Sequence, residues 1–349
     1  MYTSSTTPGA IPVGVNKQSQ LFEQINTFLL TKNFNGTVLL AKNGEIILAN
    51  GYGESNLESH ENNNAETIFR IGSLTKSFTA VAVMQLVEQG KLKLDHPLGN
   101  FIPDIPNGDK ITVHHLLSHT SGINDAAFLD SAMKDLAGYY SETKKLATAK
   151  RAVENLASEP GTKYIYTNTG YHLLGLIIEQ VSHTTWDTYM NEYIIKPTQM
   201  TRSGVDINEP VLPNRAVGTD ANGNSAIFMD ISYASSAGGL YSTVGDLLKF
   251  DQALMSGTLV NPNSFEMMIN PVKDGCGYGW FDGIKFEESS DWKFHSGDIP
   301  GFHAFNAFNI IENMQVIVLT NKEIGPKAFS LDIVKSVLDI IAKDLDSGK

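Results

Sequence analysis

The sequence predicts an α+β fold: one antiparallel sheet assembled from the two ends of the chain, flanked by terminal helices, with a helical region inserted between them. Three observations predict it. A hairpin signal lies near the N-terminus, a second lies near the C-terminus, and the stretch between carries mostly helical periodicity.

A first helix fits residues 18–30, where Leu21, Phe22, Ile25, Phe28 and Leu29 fall on one side. Residues 36–41 and 45–50 then flank Asn43-Gly44. Asn-Gly between apolar runs is the strongest short hairpin signal, because both central turn positions need positive φ. Residues 304–309 and 314–321 make the second hairpin. Pro326 suits the first turn of a closing helix running to about residue 345, since its missing N–H would be unpaired there anyway. Helical periodicity covers residues 73–89, stopped by Gly90, then 113–118, 140–156 and 171–181. Another helix begins near Thr243, with Asp246 placed to complete a capping box. The expected organisation is an α/β domain made of residues 16–72 and 235–349, a mainly helical domain of residues 73–234, and an active site in the cleft between them.

Bulk composition narrows the function. With 349 residues, 42% of them hydrophobic, the chain has material for about two domains and a full core. Acidic residues outnumber basic ones 38 to 26 and no long Lys/Arg run occurs, which argues against nucleic acid or an anionic membrane as partner. Cys276 stands alone, so no intrachain disulfide forms. The apolar runs fall well short of the ~18 residues a membrane span needs. Residues 1–15 are polar and turn-rich, without the charged and apolar regions of a signal peptide. His115 and His119 stand four apart, but a zincin needs Glu after the first His and this chain has Leu116. That pair is read as structural; no metal and no cofactor are expected.

The chemistry centres on Ser73-Leu74-Thr75-Lys76. A serine hydroxyl is a weak nucleophile and needs a base beside it. Three residues on along a helix, Lys76 can reach Ser73, and the helix start favours negative charge near the serine oxygen. Residues 67–71 look like a strand and Gly72 permits a sharp turn, which puts Ser73 at a strand-to-helix corner. Spacing alone does not choose it, since Ser131 to Lys134, Ser141 to Lys144 and Ser290 to Lys293 match too. Those three sit among polar residues without the strand–Gly–helix setting. Tyr166 is the second element: a phenol of ordinary pKa ~10 becomes a usable base if Lys76 lowers it. Asn168, two residues on, offers a donor and an acceptor to a substrate amide or to Lys76. The look-alike Tyr189-Met190-Asn191 is assigned to a helix surface. The third element, His295-Ser296-Gly297, ends a strand-like run, and its glycine admits a substrate backbone.

In that order, Ser73-x-x-Lys76, Tyr166-x-Asn168 and His295-x-Gly297 resemble the signature motifs of the penicillin-recognising serine hydrolases. This superfamily holds class C β-lactamases, the D-alanyl-D-alanine carboxypeptidases of peptidase family S12, D-aminopeptidases and related esterases. Residues 71–78, 116–122 and 237–243 look typical of it, and the likeness runs from about residue 34 to 321. The resemblance implies a β-lactamase/transpeptidase-like fold and an acyl-enzyme mechanism. It implies Ser73 as nucleophile, Lys76 as proton partner and Tyr166 as the base that becomes the acid. Asn168, His295, Ser296 and Gly297 would bind substrate, and the backbone N–H groups of Ser73 and Asp298 would form the oxyanion hole.

Class C β-lactamases usually carry Lys where this chain has His295, and a histidine of ordinary pKa ~6.5 is mostly neutral at pH 7. The expectation therefore moves toward a D-alanyl-D-alanine carboxypeptidase or D-stereospecific peptidase of the penicillin-binding type. Its alternatives are a carboxylesterase, a weak class C-type β-lactamase and, in a different class, a non-catalytic penicillin-binding sensor module. The expected partner is a small molecule or short peptide: a D-amino-acid peptide, an ester or a β-lactam. A monomer is expected, and the resemblance implies an extracytoplasmic location.

Overall fold

The computed structural model describes residues 17–283, 292–326 and 329–346. The polar segment 1–15 and Ser290 of the last Ser-x-x-Lys match lie outside the described residues.

Six strands form the main sheet. They are β1 (Gly36–Lys42), β2 (Glu45–Tyr52), β3 (Phe281–Asp282), β4 (Trp292–Ile299), β5 (Phe302–Asn309) and β6 (Met314–Thr320), in the spatial order β2-β1-β6-β5-β4-β3. Every neighbouring pair is antiparallel, with β1 and β6 from opposite ends of the chain joined from Gly36 opposite Thr320 to Lys42 opposite Met314. Both hairpins are where the sequence puts them, and Asn43 and Gly44 adopt φ of 53° and 80° in the first turn.

Side-chain alternation sorts the sheet into two faces. Val38, Leu40, Val316 and Val318 pack with Ile25 and Leu29 of helix α1 (Lys17–Thr31) and Val337 and Ile341 of helix α5 (Lys335–Asp346). Leu39, Ala41, Ile317 and Leu319 face the other way, into the core built around α2 (Thr75–Glu88) and the remaining helices. Burying Ile25 and Leu29 completely contributes about 1.5–3 kcal/mol each, which is what holds α1 on the sheet.

Four local expectations change. Ser73 is not in the α-helix but in a 3-10 turn, Gly72–Leu74, that leads into α2. Residues 126–134, outside every predicted helix, form helix α3 (Ala126–Lys134). The closing helix enters through a π-helical stretch, Phe329–Val334, before α5. Asp246 completes no capping box: Thr243 Oγ1 accepts its N–H at 3.2 Å, but its carboxylate is drawn to Arg202 N, Ser203 Oγ and Lys249 Nζ at 2.7–2.9 Å. Three donors outweigh the single bond a capping box returns.

The approach to Ser73 is fixed by a short strand. Phe69–Arg70 pairs with Leu240–Ser242, and Ile71 N–H donates to Leu240 O at 3.1 Å. Arg70 is tied to buried Asp206 at 2.6 Å, which also takes Arg215 at 2.8 Å.

Candidate active site

Two glycines let β4 close onto the Ser73 turn. Gly72 has φ +49°, and a Cβ there would lie 2.9 Å from Asp298 N. A Cβ on Gly297 would lie 1.9 Å from Ile71 O and 2.9 Å from Leu74 N. Neither position accepts a side chain, so Gly297 and Asp298 run directly beside Ser73.

Lys76, in the first turn of α2, is completely buried. Its Nζ donates to Ser73 Oγ at 3.1 Å, Asn168 Oδ1 at 2.8 Å and Ala237 O at 2.7 Å. The rings of Tyr166 and Tyr171 flank it with centroids at 4.9 and 5.6 Å. Burial lowers its pKa to about 7, against the opposing pull of Asp125. The three acceptors match the three protons of an ammonium. A neutral amine keeps two donors for Asn168 and Ala237 and turns its lone pair to the Ser73 hydroxyl.

Tyr166 lies next to the pair, with its ring 4.9 Å from Lys76 Nζ and its phenol under the influence of Ser73. From sequence, Lys76 is expected to lower the pKa of this phenol. The structure reverses that: burial raises it, and the influence of Ser73 offsets only part of the rise. Desolvation of a phenolate outweighs a cation that is itself near neutrality. Asn168 opens helix α4 (Asn168–Ser182), with its amide on Lys76.

His295 is buried on β4, with Nδ1 2.6 Å from Ser296 O, so that nitrogen holds the proton and Nε2 is left as an acceptor. Burial, and then the charge of Lys76, lower its pKa to about 3. Ser296 gives the site only that carbonyl: alternation along β4 turns its side chain to the face where Phe294 joins the terminal-helix core.

Several groups at the site carried no role in the sequence argument. His119 stacks on Tyr166 with centroids 4.4 Å apart, and its Nδ1 accepts Thr167 N–H at 3.1 Å. His115 does something else: it reaches back from helix Val113–Leu117 to cap Thr112 N–H at 3.2 Å. Asp125 gathers the start of α4, and Ala237 supplies a carbonyl to Lys76. The 116–122 stretch pointed to this neighbourhood, but nothing in the local sequence pairs residue 125 with 168. Among the described residues no three His, Cys, Asp or Glu side chains come together as a metal-binding group.

The look-alike motifs go elsewhere. Ser141 Oγ caps helix Glu142–Glu154, and Lys144 Nζ reaches Tyr233 OH at 2.9 Å. Lys134 pairs with Asp130 at 2.8 Å. Tyr189 is not on a helix surface as expected but 1% exposed, packed on Tyr193.

A pocket of about 170 Å³ opens over Ser73 and Asn168, walled by Phe128, Met229, Tyr233 and Ile299. A larger cavity of about 420 Å³ shares only His172 with it and contains no residue of the three motifs.

Comparison with known proteins bears on the family and the fold. A family model described as Beta-lactamase matches residues 24–336. The Bacillus subtilis (strain 168) protein named "Putative penicillin-binding protein PbpX" is 31% identical over 308 residues, covering 86% of this chain and 73% of that protein. The crystal structure of a penicillin-binding protein from Bacillus halodurans superposes with a TM-score of 0.78 at 29% identity, covering 91% of this chain and 97% of that one. A D-amino acid amidase structure from Ochrobactrum anthropi SV3 reaches a TM-score of 0.81 over 94% of this chain and 99% of its own; at 24% identity it shows the fold alone.

Proposed function

This chain belongs to the beta-lactamase family of penicillin-binding-protein-like serine hydrolases, and on that premise we propose that it hydrolyses D-amino-acid peptides through an acyl-enzyme on Ser73. The observation that carries the proposal is the buried Lys76 amine on Ser73 Oγ, held by Asn168 and Ala237. A lysine whose pKa is about 7 is poised to take a proton at neutral pH.

In this mechanism neutral Lys76 accepts the Ser73 proton as Oγ bonds to the substrate carbonyl carbon. The carbonyl oxygen becomes an oxyanion facing the N–H groups of Ser73 and Asp298. Collapse breaks the bond to the leaving group, which takes a proton from the Tyr166 phenol; Lys76 returns its proton to Tyr166. Water then attacks the ester, with the same groups reversed. Burial that keeps Tyr166 protonated supports an acid role for it, so base and acid divide between Lys76 and Tyr166. Asn168 and the edge at Gly297 would contact the substrate amide.

Within the class we favour a D-alanyl-D-alanine carboxypeptidase or D-stereospecific peptidase over a β-lactamase. Neutral His295 supplies no fixed cation for a β-lactam carboxylate, which supports that order. The apolar walls Phe128, Met229 and Ile299 support a carboxylesterase as the second reading. We propose further that the enzyme acts as a monomer, and outside the cytoplasm as the family resemblance implies.

A fluorophosphonate or fluorescent penicillin should label the wild type and not Ser73→Ala; labelling of the alanine variant would overturn the assignment. D-Alanyl p-nitroanilide, a D-alanyl-D-alanine peptide, p-nitrophenyl butyrate and nitrocefin, compared side by side, separate peptidase, esterase and lactamase. Stable acylation without turnover of any of them would point to a sensor module instead.

A further inference from the structure

Tyr166 and Asn168 bracket Thr167 on a segment that another loop holds in place. Asp125 Oδ1 accepts Thr167 Oγ1–H at 2.5 Å and Thr169 N–H at 3.1 Å, while Oδ2 accepts Asn168 N–H at 2.6 Å. Thr167 Oγ1 takes Gly170 N–H at 3.3 Å, so carboxylate and hydroxyl together fill the unpaired donors at the start of α4. Ahead of them, His119 accepts Ile165 N–H on its carbonyl at 2.8 Å and Thr167 N–H on Nδ1 at 3.1 Å. The N–H groups of Ile165, Thr167, Asn168 and Thr169 therefore all end on His119 or Asp125.

We propose that Asp125 is a positioning residue of this site: it fixes the 167–169 backbone so that Tyr166 and Asn168 meet Lys76, and it supplies the negative charge that Lys76 faces. The proposal rests on Ser73, Lys76 and Tyr166 acting as described above. Asp125 is the charge that opposes the effect of burial on Lys76, while Asp298 acts on the neighbouring Tyr166. Tyr166 and Tyr171 flank Lys76 with their rings, and His119, His172 and His295 each feel its charge from other elements. The same carboxylate acts on Tyr166 and His172. A helix cap taken from a distant loop costs chain entropy that a local Asp at position 167 would avoid. The remote placement leaves Asn168 free to turn its amide to Lys76.

Asp125→Asn tests this, because it keeps the shape and removes the charge. The expected loss in kcat/KM is about 10- to 100-fold, the range for a charge-assisted hydrogen-bond network. The acid limb of its pH profile should move to lower pH, since Lys76 releases its proton more readily without the carboxylate. Asp125→Glu should restore the position of the limb, and Thr167→Val should lower activity without moving it. An unmoved limb in Asp125→Asn, with activity falling only in step with melting temperature, would reduce Asp125 to a helix cap. If Asp125→Asn does not fold, a limb displaced in Thr167→Val, where the charge is intact, or in Asp125→Glu overturns the proposal. Failure of the wild type to be labelled at Ser73 would instead sink the underlying mechanism.

Discussion

Lys76 Nζ lies 3.1 Å from Ser73 Oγ, and its other two hydrogen bonds end on Asn168 and Ala237. The amine cannot turn away from Ser73 without leaving a buried carbonyl or amide oxygen unpaired, which costs about 1–3 kcal/mol. The contact therefore persists in both protonation states, and only the direction of the proton in it changes.

This fixes a pH dependence. Lys76, with a folded pKa of about 7, must be neutral to accept the Ser73 proton. kcat/KM should rise tenfold per pH unit below that value and flatten above it. His295, at about 3, adds no limb of its own near neutrality. Lys76→Met should abolish acylation and melt below wild type, because it leaves the buried acceptors Asn168 Oδ1 and Ala237 O without a donor, at about 1–3 kcal/mol each. A flat profile from pH 5 to 8 would exclude Lys76 as the base.

Tyr166→Phe removes the hydroxyl near Ser73 and leaves the ring stacked on His119. If the phenol donates a proton to the leaving group, kcat should fall by about 10²- to 10⁴-fold with KM nearly unchanged. The loss should be smaller for p-nitrophenyl esters, whose leaving group departs without a proton. An equal change in kcat and KM, or equal losses on anilide and ester, would make Tyr166 a substrate contact only.

The sheet, the two hairpins and the three motifs were legible because each is written in a short window: Asn43-Gly44 in a dipeptide, Ser73 and Lys76 in a tetrad. The direction of the Tyr166 shift was not. It depends on how deeply Lys76 and the phenol are enclosed, and enclosure is contributed by residues far apart in sequence. Asp125 was hidden for the same reason, since its partners are more than 40 positions away. Asp246 failed as a capping box because Arg202 and Ser203 approach it from across the fold. Local pattern named the groups; tertiary burial set their charges.

One buried acid outside the site predicts how stability varies with pH. Asp251 is completely buried on helix Val244–Met255, and its Oδ1 accepts Asn306 Nδ2–H from β5 at 2.7 Å. Burial pushes its pKa well above the ordinary 3.8, so the folded state keeps a proton that the unfolded state releases. Stability is then complete below about 3.8 and is lost as pH rises toward the folded pKa, by about 1.4 kcal/mol per unit. Asp251→Asn keeps the bond to Asn306 and removes this loss. It should melt higher than wild type at pH 7 and close to it at pH 4. A lower melting temperature at pH 7 would mean that the carboxylate is ionised and paired in the fold.

Gly297 offers the most direct test of how β4 and the Ser73 turn fit together. A methyl there would stand 1.9 Å from Ile71 O and 2.9 Å from Leu74 N, both backbone atoms with no rotamer to relieve the clash. Gly297 is also paired with Ala304 in β5, so the strand cannot slide to make room. In Gly297→Ala the Ser73 turn and Asp298 must move apart. Overpacking of this kind costs about 1–3 kcal/mol, leaving a folded protein with a lowered melting temperature. Acylation should suffer more than stability, by about 10²- to 10³-fold, because one oxyanion donor leaves its place. Gly245→Ala provides the control: its methyl would find nothing nearer than Thr243 Oγ1 at 4.0 Å, and a helical alanine should raise stability slightly with labelling of Ser73 unchanged. Wild-type labelling rates in Gly297→Ala would show that the N–H of Asp298 takes no part in stabilising the oxyanion.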